Sequence, residues 1–313
     1  MKIWFNDGNP TSPSGHYRAT LPMRFLQHLD IKLTNCILND DNYDAYLFHR
    51  IVHPAFLPHL LKLKEKNKII IWELDDDLWH VPHSNPSYNE AESNIATLEL
   101  CLQLSHHVIV TTEALKEEVE KHTQAKVHVL PNLLDADDWP KQYPVPVPKE
   151  QLHILWAGGT SHADDLAEIT PWIIQQLHST HNQFTFCGYC EPEILKHNSP
   201  NLVFIPHTHV TYWPRLLARL QPDIVLAPLA ENPFNNCKSN IRFLEASMSG
   251  AVVVGTDFGP YQNLPMLYEF SPNLNSSQFR RYQINKAHEF VEEHFTFQNN
   301  TCWLDFFTNL EAL

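Results

Sequence analysis

Glycine is scarce in this chain, 8 of 313 residues. None of the eight makes a G-x-G-x-x-G or a Walker A pattern, which disfavours the usual dinucleotide-binding dehydrogenase and the P-loop kinase. Lys and Arg are also few, 22 against 36 Asp and Glu, for a net charge of −14 with His neutral. That balance argues against non-specific binding along a nucleic-acid backbone, which needs a field of cations. It leaves room for a local basic groove, and the 20 His add positive charge only below neutral pH. Cysteine is sparse: Cys36, Cys101, Cys187, Cys190, Cys237 and Cys302. Only Cys187 and Cys190 form a C-x-x-C, and no second pair at zinc spacing accompanies it. The stretch QFTFCGYC reads as a strand ending in a glycine turn, and so few cysteines fit a reducing cytosol. No run approaches the roughly 20 apolar residues that span a bilayer. The opening MKIWFNDG reads as a strand and turn rather than a secretory signal. The expectation is a cytoplasmic protein without a transmembrane segment.

What is present is an ordinary globular balance, 43% hydrophobic and 19% charged, on a length suited to two domains or one large one. Short runs rich in Ile and Val read as buried strands: 2–5, 45–48, 68–74, 106–111 and 126–130. Helical spacing lies between some of them. In 54–66, Leu57, Leu60, Leu61 and Lys64 share a face, and 114–122 is a short charged helix. Next comes DDWPKQYPVPVPKEQ (137–151), with four prolines, a stiff extended linker. The alternation restarts with strands at 153–157, 183–187, 202–205, 223–227 and 251–254, and helices at 170–180 and 212–220. Two amphipathic helices close the chain: Ala287, Phe290, Val291 and His294 share a face in the first, and Trp303, Phe306, Phe307 and Leu310 share a face in the second. This pattern predicts an α/β protein of two Rossmann-like, doubly wound domains facing across a cleft. The expected division is 1–148, 149–284, and C-terminal helices over 285–313 that pack back on the first domain.

Candidate chemistry gathers around KSNIRFLEASMSGAVVVGTD (238–257). A helix is expected from about Asn240 to Ser249 with Ser239 as N-cap. Lys238, Arg242, Glu245 and Ser249 fall on one side, and Ile241, Leu244 and Met248 form a core stripe on the other. A helix start at a strand's carboxyl end, with two cations beside it, suits a phosphate. Glu245, one turn deeper, suits a ribose diol. An amphipathic helix with a solvated polar face is the equal alternative.

The layout resembles the GT-B glycosyltransferases, especially the bacterial group-1, glycogen-phosphorylase-like type. The resemblance is carried by NCKSNIRFLEASMSGAVVV (236–254), close to N-x-K-S-x-I-K-x-L-E-x-x-x-x-G-x-P-V-V, and by GPY (259–261). GHYRATLP (15–22), YDAYLFHR (43–50), WELDDDLWHVPHSNP (72–86), VIVTTEAL (108–115), VLPNLLD (129–135) and ILWAGGTSHADDL (154–166) extend it over nearly the whole chain. It implies a nucleotide-diphosphate sugar as co-substrate, held mainly by the second domain, with no catalytic metal and no other cofactor. Carried over, Lys238, Ser239 and Arg242 serve the diphosphate and Glu245 the ribose. Gly158, Gly159, Thr160 and His162 line the donor loop. Gly15, His16, Tyr17 and Arg18 reach across the cleft, and Gly259, Pro260 and Tyr261 lie beside the sugar or base. One position departs from the pattern. Eight residues before Glu245, where many members carry a Glu that touches the sugar, this chain has Cys237.

Asp75, Asp76 and Asp77 end a predicted strand. One of them could orient or deprotonate an acceptor hydroxyl, as could His16. Asp75 and Asp77 also fit a D-x-D metal motif of the other glycosyltransferase fold, but that leaves the second half unexplained. His162 with Asp164 and Asp165 is a weak metal set, and those carboxylates read better as helix caps. The lysines of 54–68 either touch anionic lipid head groups or form a solvated face. The function expected is sugar transfer to a hydroxyl of a glycan or glycoconjugate. The alternatives are a phage-type DNA glycosyltransferase acting on hydroxymethylated bases, and an inactive nucleotide-sugar-binding subunit.

Overall fold

A computed structural model describes residues 1–35, 42–179, 181–197 and 199–310. Cys36 and the last three positions of the 285–313 segment lie outside these residues. Among the described residues, eleven strands form two fully parallel sheets. The first contains β1 (Ile3–Asp7), β2 (Ile31–Thr34), β3 (Ala45–His49), β4 (Ile69–Leu74), β5 (His107–Val110) and β6 (Lys126–Val129), in the order β2-β1-β3-β4-β5-β6. The second contains β7 (His153–Gly158), β8 (Gln183–Gly188), β9 (Leu202–Ile205), β10 (Ile224–Ala227) and β11 (Val252–Gly255), in the order β11-β10-β7-β8-β9. Helices cover the sheet faces, so most strands are buried on both sides and read as unbroken apolar runs.

The connections use α1 (Leu57–Glu65), α2 (Tyr88–Leu104), α3 (Glu113–Val119), α4 (Ala163–Ser179), α5 (Trp213–Leu220) and α6 (Ile241–Met248), with shorter turns between them. α7 (Ser277–His294) and α8 (Cys302–Asn309) end the described chain. In each sheet the strand order reverses beside the first strand: between β1 and β3, and between β7 and β10. A doubly wound sheet opens a crevice at the carboxyl ends of such strands. Here the two crevices face each other.

Several local expectations are corrected. Neither β2 nor α2 was anticipated. α1 buries Leu60 and Leu63, whereas Leu61 is exposed. The α1 lysines Lys62 and Lys64 face solvent. The N-cap of α6 is Asn240, with no side-chain bond, while Ser239 accepts from Asn132 Nδ2 at 3.0 Å. Phe243 joins Leu244 and Met248 in the core, and Ile241 is only partly buried. Glu245 and Ser249 are buried rather than part of a solvated face.

α8 lies against the first sheet. Trp303 Nε1 donates to the Pro131 carbonyl at 3.1 Å, and Phe306 meets His128 edge-on with ring centres 4.9 Å apart. Just before it, Leu134 N donates to the Phe295 carbonyl at 2.8 Å and the Leu134 carbonyl accepts from Phe297 N at 3.0 Å. The proline-rich segment runs over the second sheet's elements. Tyr143 covers Gly250, whose φ of +80° ends α6 and whose absent Cβ would lie 2.4 Å from the Tyr143 ring. No helix among the described residues is long and apolar enough to cross a membrane.

Candidate active site

Between the facing carboxyl ends lies a cavity of about 470 Å³. Its second-domain wall begins at α6. No side-chain hydrogen bond caps this helix, and within its first turn the Phe243 N–H is bonded to the Asn240 carbonyl at 2.9 Å. Lys238 and Arg242 line the cavity at its start, with Ser239 and Glu245. Lys238 Nζ sits 4.4 Å over the Phe234 ring and 3.9 Å from Asp76 across the cleft. Arg242 Nη1 donates to Glu245 Oε2 at 3.2 Å. Glu245 Oε1 accepts from Tyr17 Oη of the first domain at 2.6 Å.

β7 delivers the loop that is expected to meet the donor. Gly158 and Gly159 line the cavity, whereas Thr160 does not. Gly188, with φ of +94°, brings β8 so near that a Cβ there would lie 2.4 Å from the Gly158 carbonyl oxygen. His162 lines the cavity and bonds through Nδ1 to Asp165 Oδ2 at 2.7 Å. Asp165 Oδ1 accepts from Ala230 N at 2.9 Å and Asn235 Nδ2 at 2.7 Å. Asp165 therefore ties this loop to the end of β10, a correction to its reading as a helix cap. Burial, Lys238 and Arg242 lower the His162 pKa. The neutral ring gives its Nδ1–H to Asp165 and keeps Nε2 as an acceptor. Tyr261 lines the cavity, and Gly259 packs on the backbone of Asn235 and Asn236 behind it. Neither Gly259 nor Pro260 is in the lining.

The first-domain wall is a charge network. Asp7, His49 and Glu73 occupy the ends of β1, β3 and β4, and all three are buried. His49 Nδ1 bonds Asp7 Oδ1, and its Nε2 bonds Ser14 Oγ, both at 2.8 Å. This has the layout of a Ser-His-Asp triad. Burial would lower the His49 pKa, but Glu73, Asp7 and Asp75 around it raise it overall. The raised pKa favours the imidazolium, which has no lone pair to take a serine proton, so the arrangement suits orienting Ser14 rather than activating it. Arg50, in the left-handed region at φ 52°, pairs with Asp75 at 3.2 Å and Asp76 at 3.6 Å. Burial alone would raise the Asp75 pKa, but Arg50 and His49 hold it down to about 2. Asp75 is thus a fixed anionic hydrogen-bond acceptor at the cavity wall.

Arg18, Asp77, His16 and Gly15, all expected at the ligand, are buried. Arg18 is fully buried: its Nε pairs with Glu73 Oε1 at 2.5 Å and its Nη1 donates to Leu130 O at 2.7 Å and Asn132 Oδ1 at 3.0 Å. Trp303 stacks on it at 4.8 Å. Its charge is matched inside the domain, although it borders the cavity. Asp77 is fully buried and closes a turn, accepting from Trp79 N at 3.0 Å and His80 N at 3.2 Å. His16 lies outside the lining; burial first, then Arg24, lower its pKa to about 4. Gly15 is packed on Asn9 and Asp7, where a Cβ would collide.

Sequence reasoning missed Ser14, His49, Arg50 and Glu73 as site-forming groups. A signal existed: buried strands β1, β3 and β4 each end on charge, in WFND, YLFHR and WELDDD. Among the described residues, Asp77, His80 and Glu118 could hold a metal ion. They lie outside the cavity lining, and Asp75 and Asp77 do not converge as a D-x-D pair. Cys237 also turns away from the cavity. It packs into the first-domain core, and its carbonyl accepts from Thr112 Oγ1 at 2.9 Å.

No family model matches this chain. No curated protein matches it either. Its fold is shared with solved structures. Sucrose-phosphate synthase from Thermosynechococcus elongatus superimposes with a TM-score of 0.71 at 11% identity, over 100% of this chain and 99% of that one. Anabaena HepE in complex with UDP gives 0.63 at 13% identity, over 100% of both chains. An alpha-glucosyltransferase in complex with UDP-glucose and DNA containing an abasic site gives 0.62 at 12% identity, over 99% and 98%. At such identities the likeness establishes the fold: two Rossmann-like domains in the GT-B arrangement.

Proposed function

We propose that this GT-B chain is a glycosyltransferase that moves a sugar from a nucleoside-diphosphate donor to a hydroxyl acceptor. The observation that carries the reading is the convergence of Lys238, Arg242 and the uncapped start of α6 on one cavity wall, with Glu245 one turn further on. A diphosphate leaving group gains charge as the glycosidic bond breaks. Preorganised cations and N–H dipoles in a closed cleft stabilise that charge. This supplies what a metal ion would otherwise supply, and we include metal independence in the proposal. Two solved proteins of the same fold carry UDP or UDP-glucose in their complexes, which supports a nucleotide-sugar donor.

On the acceptor side we assign Asp75, oriented by Arg50 and facing the same cavity, as the group that receives the acceptor hydroxyl's hydrogen bond. Acidic Asp75 and Asp76 at this wall, together with the net charge of −14, favour a neutral glycan or glycoconjugate over a phosphate-rich duplex. Hydroxymethylated DNA remains the second reading, because a DNA-bound glucosyltransferase shares the fold at nearly full coverage.

The test is a thermal-shift panel of nucleoside diphosphates and their sugars, with and without EDTA. A ligand at one hundred times its Kd stabilises by about 2.7 kcal/mol. Stabilisation that survives EDTA and is lost in Lys238→Ala is expected. No shift with any nucleotide contradicts the reading, and a shift abolished by EDTA contradicts metal independence.

A further inference from the structure

Glu245 is the carboxylate that the GT-B resemblance implies for the donor ribose, yet both of its oxygens already have donors. Tyr17 Oη sits on Oε1 at 2.6 Å, and Arg242 Nη1 on Oε2 at 3.2 Å. Glu245 and Tyr17 are only 5% and 6% exposed, so there is little open space for a third partner. A ribose diol bridging a carboxylate needs both oxygens. Arg242 belongs to the same helix and can keep one lone pair while turning toward a phosphate. Tyr17 comes from the opposite domain, 228 residues away in sequence, and holds the second oxygen with a hydroxyl of the kind a ribose presents.

We propose that the Tyr17 hydroxyl is a stand-in for a ribose hydroxyl: the donor ribose displaces Tyr17 from Glu245, and that displacement releases the acceptor-side segment. This rests on the assignment of Glu245 to the donor ribose.

The segment that carries Tyr17 is suited to such a change. His16–Thr20 is a π-helical turn, a winding less favourable than α that recurs at functional sites. The same short stretch carries Ser14, bonded to His49, and Arg18, bonded to Glu73. Asn132, which holds Arg18, also reaches Ser239 beside the phosphate wall. Tyr17 is thus the link between ribose occupancy and the loop that shapes the acceptor wall, so the donor binds before the acceptor. The burial of Tyr17 and its contact with the Glu245 carboxylate keep its hydroxyl protonated, so it donates rather than accepts.

The experiment compares Tyr17→Phe with wild type. Both are titrated calorimetrically with UDP, GDP and ADP and with the 2′,3′-dideoxy form of each. Removing the competitor frees a hydrogen bond to a charged group. Tyr17→Phe should therefore bind the preferred ribonucleoside diphosphate more tightly, on the order of tenfold. Its affinity for the dideoxy form should not change. In wild type, amide hydrogen exchange over 16–20 should rise on adding the ribonucleotide and not on adding the dideoxy form. Unchanged or weaker ribonucleotide binding by Tyr17→Phe, or equal gains for both forms, overturns the inference while leaving the donor site standing. If Tyr17→Phe, with the competitor gone, does not distinguish ribo from dideoxy forms, the Glu245 assignment fails and this inference fails with it.

Discussion

Arg18 separates a structural cation from a ligand-binding one. It is fully buried, pairs with Glu73 at 2.5 Å and holds Leu130 and Asn132 through a second nitrogen. Arg18→Met leaves the buried Glu73 carboxyl without its guanidinium partner, with His49 3.3 Å away. Removing one partner of a buried pair costs about 3–5 kcal/mol. At roughly 2–4 °C per kcal/mol for a chain of this size, the melting point should fall on the order of 10 °C. Arg18→Met/Glu73→Met removes both charges and should recover most of the loss, because an apolar pair can replace a buried ion pair at little cost. Urea unfolding followed by tryptophan fluorescence measures both. Calorimetric titration of the double variant with the preferred nucleoside diphosphate completes the test. Retained nucleotide binding in a stable double variant is expected. A single variant within about 1 kcal/mol of wild type refutes the buried-pair argument, and a stable double variant that no longer binds nucleotide refutes the removal of Arg18 from the donor site.

Three further outcomes follow from the geometry. The His49 pKa is raised in the folded protein, so its stabilisation is full below the ordinary value of 6.5 and is lost as pH rises through the folded value. Wild-type stability should therefore decline from pH 6.5 upward relative to His49→Asn, and equal slopes in pH-dependent urea titrations would contradict this. Gly250→Ala places a side chain at φ +80° against Tyr143 and should destabilise by about 1–3 kcal/mol, read from the unfolding midpoint; a neutral result would mean that the linker does not press on α6. Asp75→Asn should lose transfer while keeping nucleotide affinity, whereas Asp77→Asn should lower the melting point; the reverse pattern, in paired binding and transfer assays, would exchange the two roles.

Much of the fold is visible in the sequence because most strands are buried on both faces and stay apolar throughout. β2 escaped because IKLT is short, lies at the sheet edge and is only partly buried. α2 escaped because its buried residues, Thr97, Leu98, Cys101 and Leu102, crowd into its last two turns and leave the first half without a period. At the site, Lys238, Arg242 and Glu245 are legible as one helix face. Arg18 and Asp77 are not, because burial and pairing decide their roles and neither is a local property. Ser14, His49 and Asp7 come together across 35 and 42 residues, so only the β1 and β3 pairing reveals them. Cys237 stands out in sequence as a missing glutamate, and the fold turns it into a first-domain contact.

The most direct test of the central claim is turnover. Wild-type protein and Lys238→Ala are incubated with UDP-, GDP-, ADP- and dTDP-sugars in EDTA, and nucleoside-diphosphate release is followed with and without added glycan acceptors. The account predicts that one donor class is consumed by wild type, faster with acceptor, and not by Lys238→Ala. Tight nucleotide binding without release from any donor would contradict it and make the chain a nucleotide-sugar-binding subunit.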